Sequence, residues 1–398
     1  MEIGFIDYSH EERNKILSTL KMLGEQNVLD ELGIGGVRDA YSNILFPGIS
    51  TLQTRAKYFV LIPYLFQSAK IQTEKGKIHS GRELLQWINE REDRLAASLT
   101  EKAKNLPEEV TGIIGSRAYQ NRRSVKVKPS AIYWTGLRTF GIFRRENTYL
   151  PAACNLVFQE ARQKTGAEIK IDGESFDDPT AMDLGSSLFL PITPDYDYEK
   201  DATMDLTKKE ANFLSECIQL SPYSSGSLLA FCVKHRMAIS DFKSVPVDLL
   251  PEGLRRDYQL AREFSRLIFG AHIRYNVIYS EYTDQKVKDQ FQEWRDIFLS
   301  EPIDLDPVLD RVSCPPALKG FCKAFQDTVR TNDTSSMDEL IVRRELHTKK
   351  ERAKLRKPQE YHYDPAHPIH LYELDYRFDR ASVIIRDILK GLGGAQSV

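Results

Sequence analysis

Apolar residues recur at helical spacing through most of the chain. The clearest case runs from about Arg255 to Glu281, where apolar side chains three and four residues apart form one stripe. The members of this stripe are Leu260, Phe264, Leu267, Ile268, Ala271, Tyr275 and Ile278. We expect this long helix to lie at the centre of a hydrophobic core.

Helix starts are often marked by Ser or Thr followed three residues later by Glu or Gln, a spacing at which each side chain bonds an unpaired backbone donor. This pattern precedes five segments of helical apolar spacing and favours a helical fold class. The pairs are Ser9 with Glu12, Ser50 with Gln53, Ser80 with Glu83, Thr207 with Glu210, and Ser336 with Glu339.

Strand patterns are few and short. Residues 2–8, 124–128 and 167–171 alternate apolar and polar side chains in the way that half-buried strands do. The sequence therefore predicts a mainly α, multi-helical protein with minor β, either a small hairpin or a winged-helix-like element.

The chain is longer than one ordinary core requires, because its 398 residues favour two or three domains. Acidic residues and prolines accumulate between Asp172 and Asp205, which is typical of a long surface connection, and a polar break follows at 331–336. We predict three parts. They are a helical domain over 1–150 that ends in a basic winged-helix-like segment, a helical core domain over 151–335 with an acidic loop, and a basic helical module over 336–398.

Composition indicates a folded, non-membrane protein, with 41% hydrophobic and 28% charged residues. The five cysteines are widely spaced and form no C-x-x-C pair, and the start of the chain lacks the pattern of a signal peptide, so we expect a cytoplasmic location. The longest apolar run, 58–66, is far shorter than the roughly 20 residues that a membrane span needs. The net charge of −2 indicates no particular partner.

The segment from Asp30 to Phe59 contains the strings DELGIG, RDA, LFPG and STLQTRAKYF. Together with FIDYS near the start, IYW at 132–134 and YRF near the end, it closely resembles an uncharacterised bacterial family, domain of unknown function 6361. The resemblance extends over most of the chain, although residues 362–370 depart from it. It implies a bacterial or phage-related source and a defence context beside helicase and nuclease genes, and it carries no catalytic residue.

The most distinct charge pattern is a stretch from Val110 to Arg145 that contains no Asp or Glu. Its cations are Arg117, Arg122, Arg123, Lys126, Lys128, Arg138, Arg144 and Arg145. The helix predicted between Ser130 and Gly141 resembles the second helix of a winged helix-turn-helix module.

Docked on DNA or RNA, this stretch would use its cations in two ways. Arg122, Arg123, Lys126 and Lys128 would neutralise phosphates together with Arg117, while Tyr133 and Arg138 would point from the helix toward a groove of the nucleic acid. The alternative is a basic surface that faces the acidic loop of the same chain.

A second basic stretch lies near the end of the chain. It comprises Arg343, Arg344, Lys349, Lys350, Arg352, Lys354, Arg356 and Lys357. Phosphate contact needs local positive charge and no particular helix face, so this stretch is a second candidate for nucleic-acid binding. A solvated helix or linker before Pro358 is the alternative.

Patterns for metal-dependent chemistry are weak. The histidines between 362 and 373 match no standard metal spacing and lie between prolines, so we predict an exposed loop without a metal. Glu168 and Lys170 have the E-x-K spacing of restriction-type nucleases, with an exposed strand as the alternative.

Three further features have structural interpretations. Gly33 and Gly35 belong to no complete phosphate-loop motif and predict a tight turn. Cys232 with His235 lacks a third group that would orient a base, so we predict a buried thiol. Polar residues in the family-like segment predict a set of ion pairs, with the lining of a cleft as the alternative. These residues are Arg38, Asp39, Arg55 and Lys57.

The leading hypothesis is a non-catalytic, nucleic-acid-associated subunit of a bacterial anti-phage defence or mobile-element system, with DNA or RNA as its partner and no cofactor. One alternative is a scaffold that docks a partner helicase or nuclease. Another is a divergent metal-dependent nuclease that uses Glu168 and Lys170.

Overall fold

The computed structural model of the chain describes residues 30–104, 111–164 and 187–394. Within these ranges the chain forms fifteen α-helices and three short 3₁₀ turns. The prediction of a mainly α, multi-helical protein is confirmed. The β structure of the described residues is a single antiparallel bridge between Phe143 and Phe189.

The helices are numbered in chain order. They are α1 (Gly35–Leu45), α2 (Tyr58–Glu74), α3 (Gly81–Lys102), α4 (Ser116–Gln120), α5 (Pro129–Thr139), α6 (Leu150–Lys164), α7 (Tyr198–Asp201), α8 (Lys208–Leu220), α9 (Leu228–Lys234), α10 (Glu252–Tyr279), α11 (Gln285–Ser300), α12 (Leu305–Asp310), α13 (Pro316–Thr331), α14 (Thr334–Lys349) and α15 (Phe378–Gly391).

The described residues group into two compact units, each built from two parts of the chain. Unit 1 contains α1 up to Ile44 and the helices α10 to α14, between Pro251 and Tyr376. Unit 2 contains the helices α2 to α9 and α15. The three-part organisation predicted from the sequence is a different partition, and it stays a prediction.

Unit 1 is organised around α10, which packs on α11, α12, α13 and α14. The predicted apolar stripe is buried from Leu260 to Tyr275, and the helix itself matches the predicted range to within three residues at each end. Gly270 lets α11 approach closely, because a Cβ at this position would lie only 2.1 Å from the Trp294 ring. The predicted core helix is therefore confirmed.

Unit 2 is organised around α2, whose first nine residues, 58–66, are all buried. This helix packs on α3, α5, α6 and α8, while α8 in turn packs on α9 and α15. The longest apolar run of the sequence is thus a core helix covered by other helices. Among the described residues, no helix is both long and apolar enough to cross a membrane.

Two of the predicted helix starts are confirmed. The Ser80 side chain accepts a hydrogen bond from the Glu83 N–H and begins α3. Thr207 and Glu210 form a complete capping box at the start of α8, in which each side chain accepts from the backbone of the other.

Two other predicted starts are wrong, and the pair at Ser9 lies outside the described residues. Ser50 with Gln53 begins no helix, because the Gln53 side chain donates to the Gly48 carbonyl instead. At Ser336 the helix α14 has already begun, because Asp333 caps it and accepts from the Ser336 N–H at 3.0 Å. The predicted polar break at 331–336 is the turn between α13 and α14, and both helices lie in unit 1.

The predicted strand at 124–128 is wrong. This segment is irregular, and Val125 packs against Gly115 rather than against a neighbouring strand. The strands predicted at 2–8 and 167–171 lie outside the described residues. No strand flanks α5 within the described ranges, so a winged-helix module has no support there.

Candidate nucleic-acid interface

The basic segment of unit 2, defined here as Arg117, Arg122, Arg123 and Lys126, begins on α4 and continues into the irregular chain before α5. All four side chains are exposed. Those of Arg122, Arg123 and Lys126 form no hydrogen bond or ion pair with any residue that the structure describes. Arg122 has a φ of 54°, which turns the chain back at the end of α4. The segment therefore offers three cations to solvent from one short turn.

Lys128 differs from these neighbours because it is neutralised within the protein. Its ammonium lies 2.5 Å from the Asp93 carboxylate of α3, and its side chain is only 16% exposed. The same carboxylate accepts a hydrogen bond from Ser124. Lys128 thus ties the basic segment to α3, and we exclude it from the phosphate-binding set.

Glu92 anchors the start of α5 directly after the basic segment. This buried carboxyl accepts the Ser130 N–H at 2.6 Å and the Ser130 hydroxyl at 3.1 Å. Burial raises the pKa of Glu92 to about 8, against the opposing effects of the Ser130 hydrogen bonds and the Lys128 charge. Near neutral pH the Glu92 side chain is therefore uncharged, and in this form it holds the first turn of α5.

Tyr133 is not available to a nucleic acid. Its side chain is 0% exposed, and its hydroxyl accepts the Thr54 and Arg55 N–H groups while donating to the Arg55 carbonyl. The rings of Tyr58 and Phe59 pack against it. The prediction that Tyr133 faces a groove does not agree with this burial, since α5 is a core helix.

Arg138 lies at the other end of α5, roughly 15 Å along the helix from Lys128. With Arg144 and Arg145 it lines a shallow depression of about 340 Å³ that also contains Glu146. Arg138 therefore belongs to a separate basic patch of unit 2 and not to the basic segment.

An open groove of about 880 Å³ lies beside the basic segment in unit 2. Its walls come from α15, the end of α3, the chain around 111–117 and the chain around 202–205, with Arg55 among its lining residues. Among the described residues, two acidic side chains, Asp205 and Asp387, line it together with six basic ones. The basic residues are Arg55, Lys102, Arg117, Arg380, Arg386 and Lys390.

Arg55 is held by the two acidic residues of the groove. Its Nε lies 2.8 Å from Asp387, and its Nη2 lies 3.2 Å from Asp205. Asp205 also pairs with Lys390 at 2.8 Å, and this hydrogen bond, with the charges of Lys390 and Arg55, lowers the pKa of Asp205. Arg55 therefore pairs with carboxylates, as predicted, and also lines a cleft, which was the alternative.

The remaining cations leave the groove with an excess of positive charge. Lys102 donates to the carbonyls of Lys200 and Ala202 and pairs with no carboxylate that the structure describes. Arg386 is exposed and forms no side-chain hydrogen bond or ion pair with the described residues. Arg117, the first residue of the basic segment, also lines the groove.

The α15 wall of this groove is a site that sequence reasoning missed. Arg380, Val383, Asp387 and Lys390 recur at helical spacing on one face, while the opposite face is apolar. The signal was present in the sequence as cations three to seven residues apart on an amphipathic helix. It was overlooked because single acids interrupt the run.

In unit 1 three cations of the second basic stretch contact other parts of the protein. Arg344 donates to the Leu32 carbonyl at 2.7 Å, and its guanidinium lies over the Phe321 ring. Lys349 is 8% exposed and, with Lys354, faces the buried Glu31.

Four cations of this stretch remain at the surface, namely Arg343, Lys350, Arg352 and Arg356. Arg343 forms an exposed ion pair with Glu339 one helical turn away. Lys350 and Arg352 are exposed in the 3₁₀ turn after α14. The stretch is thus divided between structural and solvent-facing cations.

Glu31 is the centre of a buried polar cluster in unit 1. Lys354 Nζ lies 3.1 Å from Glu31 Oε1, and His370 Nε2 lies 3.1 Å from Oε2. Burial opposes ionisation of Glu31, but the His370 hydrogen bond and the charges of Lys354 and Lys349 outweigh it and lower its pKa to about 2. The cluster therefore holds an ionised carboxylate in the interior.

The predicted tight turn and ion pairs of the family-like segment are confirmed. Gly33 has a φ of 65°, and Asp30 accepts the N–H groups of Leu32 and Gly35 at the start of α1. Arg38 pairs with Asp39 in unit 1. In unit 2 Lys57 pairs with Glu210 at 2.6 Å, and both side chains are buried.

The remaining chemical candidates gain no new support. Cys232 is fully buried, as predicted. The described residues contain no group of three or more His, Cys, Asp or Glu that would hold a metal ion, and the chain from 362 to 370 is an irregular loop. Glu168 and Lys170 lie outside the described residues, so the nuclease hypothesis stays a prediction.

These features define a helical protein in which unit 2 carries an exposed basic segment and a groove lined mainly by cations among the described residues. Over residues 1–287 the chain matches a family of unknown function, DUF6361, and it belongs to this family. The predicted resemblance is therefore confirmed, and the matched range includes the basic segment but not α15. A comparison with curated proteins gives no match, and neither does one with solved structures.

Proposed function

We propose that the protein is a non-catalytic, nucleic-acid-binding subunit of a bacterial anti-phage defence or mobile-element system, and that it binds the phosphate backbone of DNA or RNA through the basic segment of unit 2. The observation that carries this proposal is the exposure of Arg122, Arg123 and Lys126 without any partner in the described residues. Protein cations that have no partner of their own displace the counterions condensed on the phosphates of a nucleic acid. The release of these counterions favours binding whatever the base sequence.

The neighbouring groove supports the same function. Arg117, a residue of the segment, also lines the groove, and among the described residues of its lining basic side chains outnumber acidic ones by six to two. The whole-chain charge of −2 does not oppose this, because a local patch sets the field that a strand of phosphates experiences.

The test is a salt titration of nucleic-acid binding by fluorescence anisotropy. The variant carries Arg122→Ala, Arg123→Ala and Lys126→Ala. Its control carries Lys77→Ala, Lys208→Ala and Lys234→Ala, which remove three exposed charges of unit 2 away from the segment and the groove. We expect the segment variant to lose at least about tenfold in affinity at low salt and to reduce the salt slope by about 1 for each cation removed.

The control variant is expected to bind like the wild type. Equal losses in both variants would mean that only overall charge matters, and absence of wild-type binding at low salt would reject the proposal. Absence of binding would favour the alternative of a scaffold for a helicase or nuclease partner.

A further inference from the structure

The groove of unit 2 combines two kinds of surface. Its cations include Lys102, Arg386 and Lys390, while apolar side chains also line it. The apolar residues are Leu99, Ile113, Met204 and Val383. A ligand that fills this groove must therefore present both negative charge and an apolar face.

The size of the groove limits this ligand further. A volume of about 880 Å³ lies within the range of small-ligand sites, roughly 300–1,000 Å³. In a duplex the base faces are stacked on one another, so only base edges and the backbone are offered to a protein. In a single strand the bases can separate and expose their faces beside the phosphates.

We propose that the groove receives an unpaired stretch of a nucleic-acid strand, about one or two nucleotides long. This inference rests on the proposed function and assigns it a substrate class. Phosphates lie against Arg386 and Lys102, which pair with no carboxylate that the structure describes, and a base or sugar lies on the apolar residues. The strand leaves the groove at Arg117 and continues along the basic segment.

The side chains that line the groove also determine how strongly binding depends on base sequence and on salt. No aromatic side chain is among the described residues that line the groove, so the stacking platform of many single-strand-binding proteins is missing there. The hydroxyls of Thr54, Thr111 and Thr203 are the neutral side-chain hydrogen-bonding groups of the lining. We therefore expect weak sequence preference and strong dependence on salt.

The experiment measures the affinity of the full chain for a labelled single-stranded 12-mer and for the matching duplex by fluorescence anisotropy. The groove variant carries Arg386→Ala and Lys102→Ala, and its matched control carries Lys208→Ala and Lys234→Ala. A second variant, Arg386→Glu, reverses one exposed charge and leaves the Lys390 pair with Asp205 intact. Thermal unfolding of each variant verifies that it is folded.

The groove proposal predicts that both groove variants lose at least tenfold in affinity for the single strand and less than twofold for the duplex, with the control unchanged. The basic-segment variant would weaken binding of both nucleic acids. Equal effects of the groove variants on the two nucleic acids would overturn the groove proposal and leave the proposed function standing.

Free adenosine monophosphate as competitor separates a strand from a free nucleotide. We expect it to displace the 12-mer only at a concentration at least a hundredfold above that of unlabelled 12-mer. Displacement at equal nucleotide concentration would identify a mononucleotide site and overturn the groove proposal. Failure of the wild type to bind either nucleic acid would reject both proposals.

Discussion

The basic segment of unit 2 and the basic stretch of unit 1 carry similar runs of Lys and Arg but differ in what their cations contact. In unit 2, Arg122, Arg123 and Lys126 have no partner among the described residues. In unit 1, Lys349 and Lys354 face the buried Glu31, and Arg344 holds a backbone carbonyl. A run of Lys and Arg can therefore serve the interior of its own fold, and only the cations that the fold leaves unpaired are candidates for contact with an external anion.

The cause lies in the acids that each fold brings near. Glu31 is far from 343–354 in the sequence, yet unit 1 places it against two of the lysines of that stretch. In unit 2 the nearby Asp93 takes up a single cation, Lys128, and leaves the others exposed. Substitutions that remove these acids and cations one at a time test whether their pairing explains the difference.

The largest effect is expected from Glu31→Ala in unit 1. The substitution leaves Lys349 buried without its carboxylate, and breaking a buried pair in this way costs about 3–5 kcal/mol in the free energy of unfolding. Urea denaturation measures this change. Glu339→Ala, which removes an exposed acid of the same unit, is the control and should leave stability nearly unchanged. A small effect of Glu31→Ala would mean that the unit 1 cations are not structural.

Glu92 gives the next largest effect, as a pH dependence of stability. Because its folded pKa of about 8 lies above the ordinary 4.5, the unfolded chain loses the proton first as pH rises. Stability should therefore fall between pH 5 and 7.5, by about 3 kcal/mol at most from this group. Glu92→Gln keeps a neutral partner for Ser130 and should flatten this part of the profile. An unchanged profile would show that Glu92 is ionised in the folded protein.

The smallest effect is expected from Lys128→Ala. Asp93 already neutralises this lysine, so its removal should change nucleic-acid affinity by less than about twofold. A change of this size is similar to the small free energy of a partly exposed ion pair. Asp93→Asn is the matching test, since it releases the lysine and should raise affinity at low salt. A loss for Lys128→Ala as large as that for Arg122→Ala would contradict the distinction between paired and unpaired cations.

The helical architecture was largely predictable, because apolar spacing and capping chemistry are local. The stripe from Leu260 to Tyr275 and the capping box at Thr207 needed no tertiary information. The strand pattern at 124–128 failed because alternation alone does not supply a neighbouring strand.

The candidate site was predictable only in part. The acid-free run pointed to Arg122 and Arg123, but burial of Tyr133 depends on the packing of α5 against α2. The groove could not be found from the sequence because it joins α3 to α15, nearly 280 residues later, and such distant pairings leave no local pattern.

The most direct test of the central claim compares the two basic stretches in one measurement, the salt dependence of nucleic-acid affinity. One variant carries Arg122→Ala, Arg123→Ala and Lys126→Ala, and the other carries Arg343→Ala and Lys357→Ala, cations of the unit 1 stretch that already pair with Glu339 and Glu360. We predict that the slope of log affinity against log salt falls by about 3 in the first variant and by less than 1 in the second. Equal slopes in the two variants, or a larger reduction in the second, would contradict the claim that unit 2 carries the binding surface.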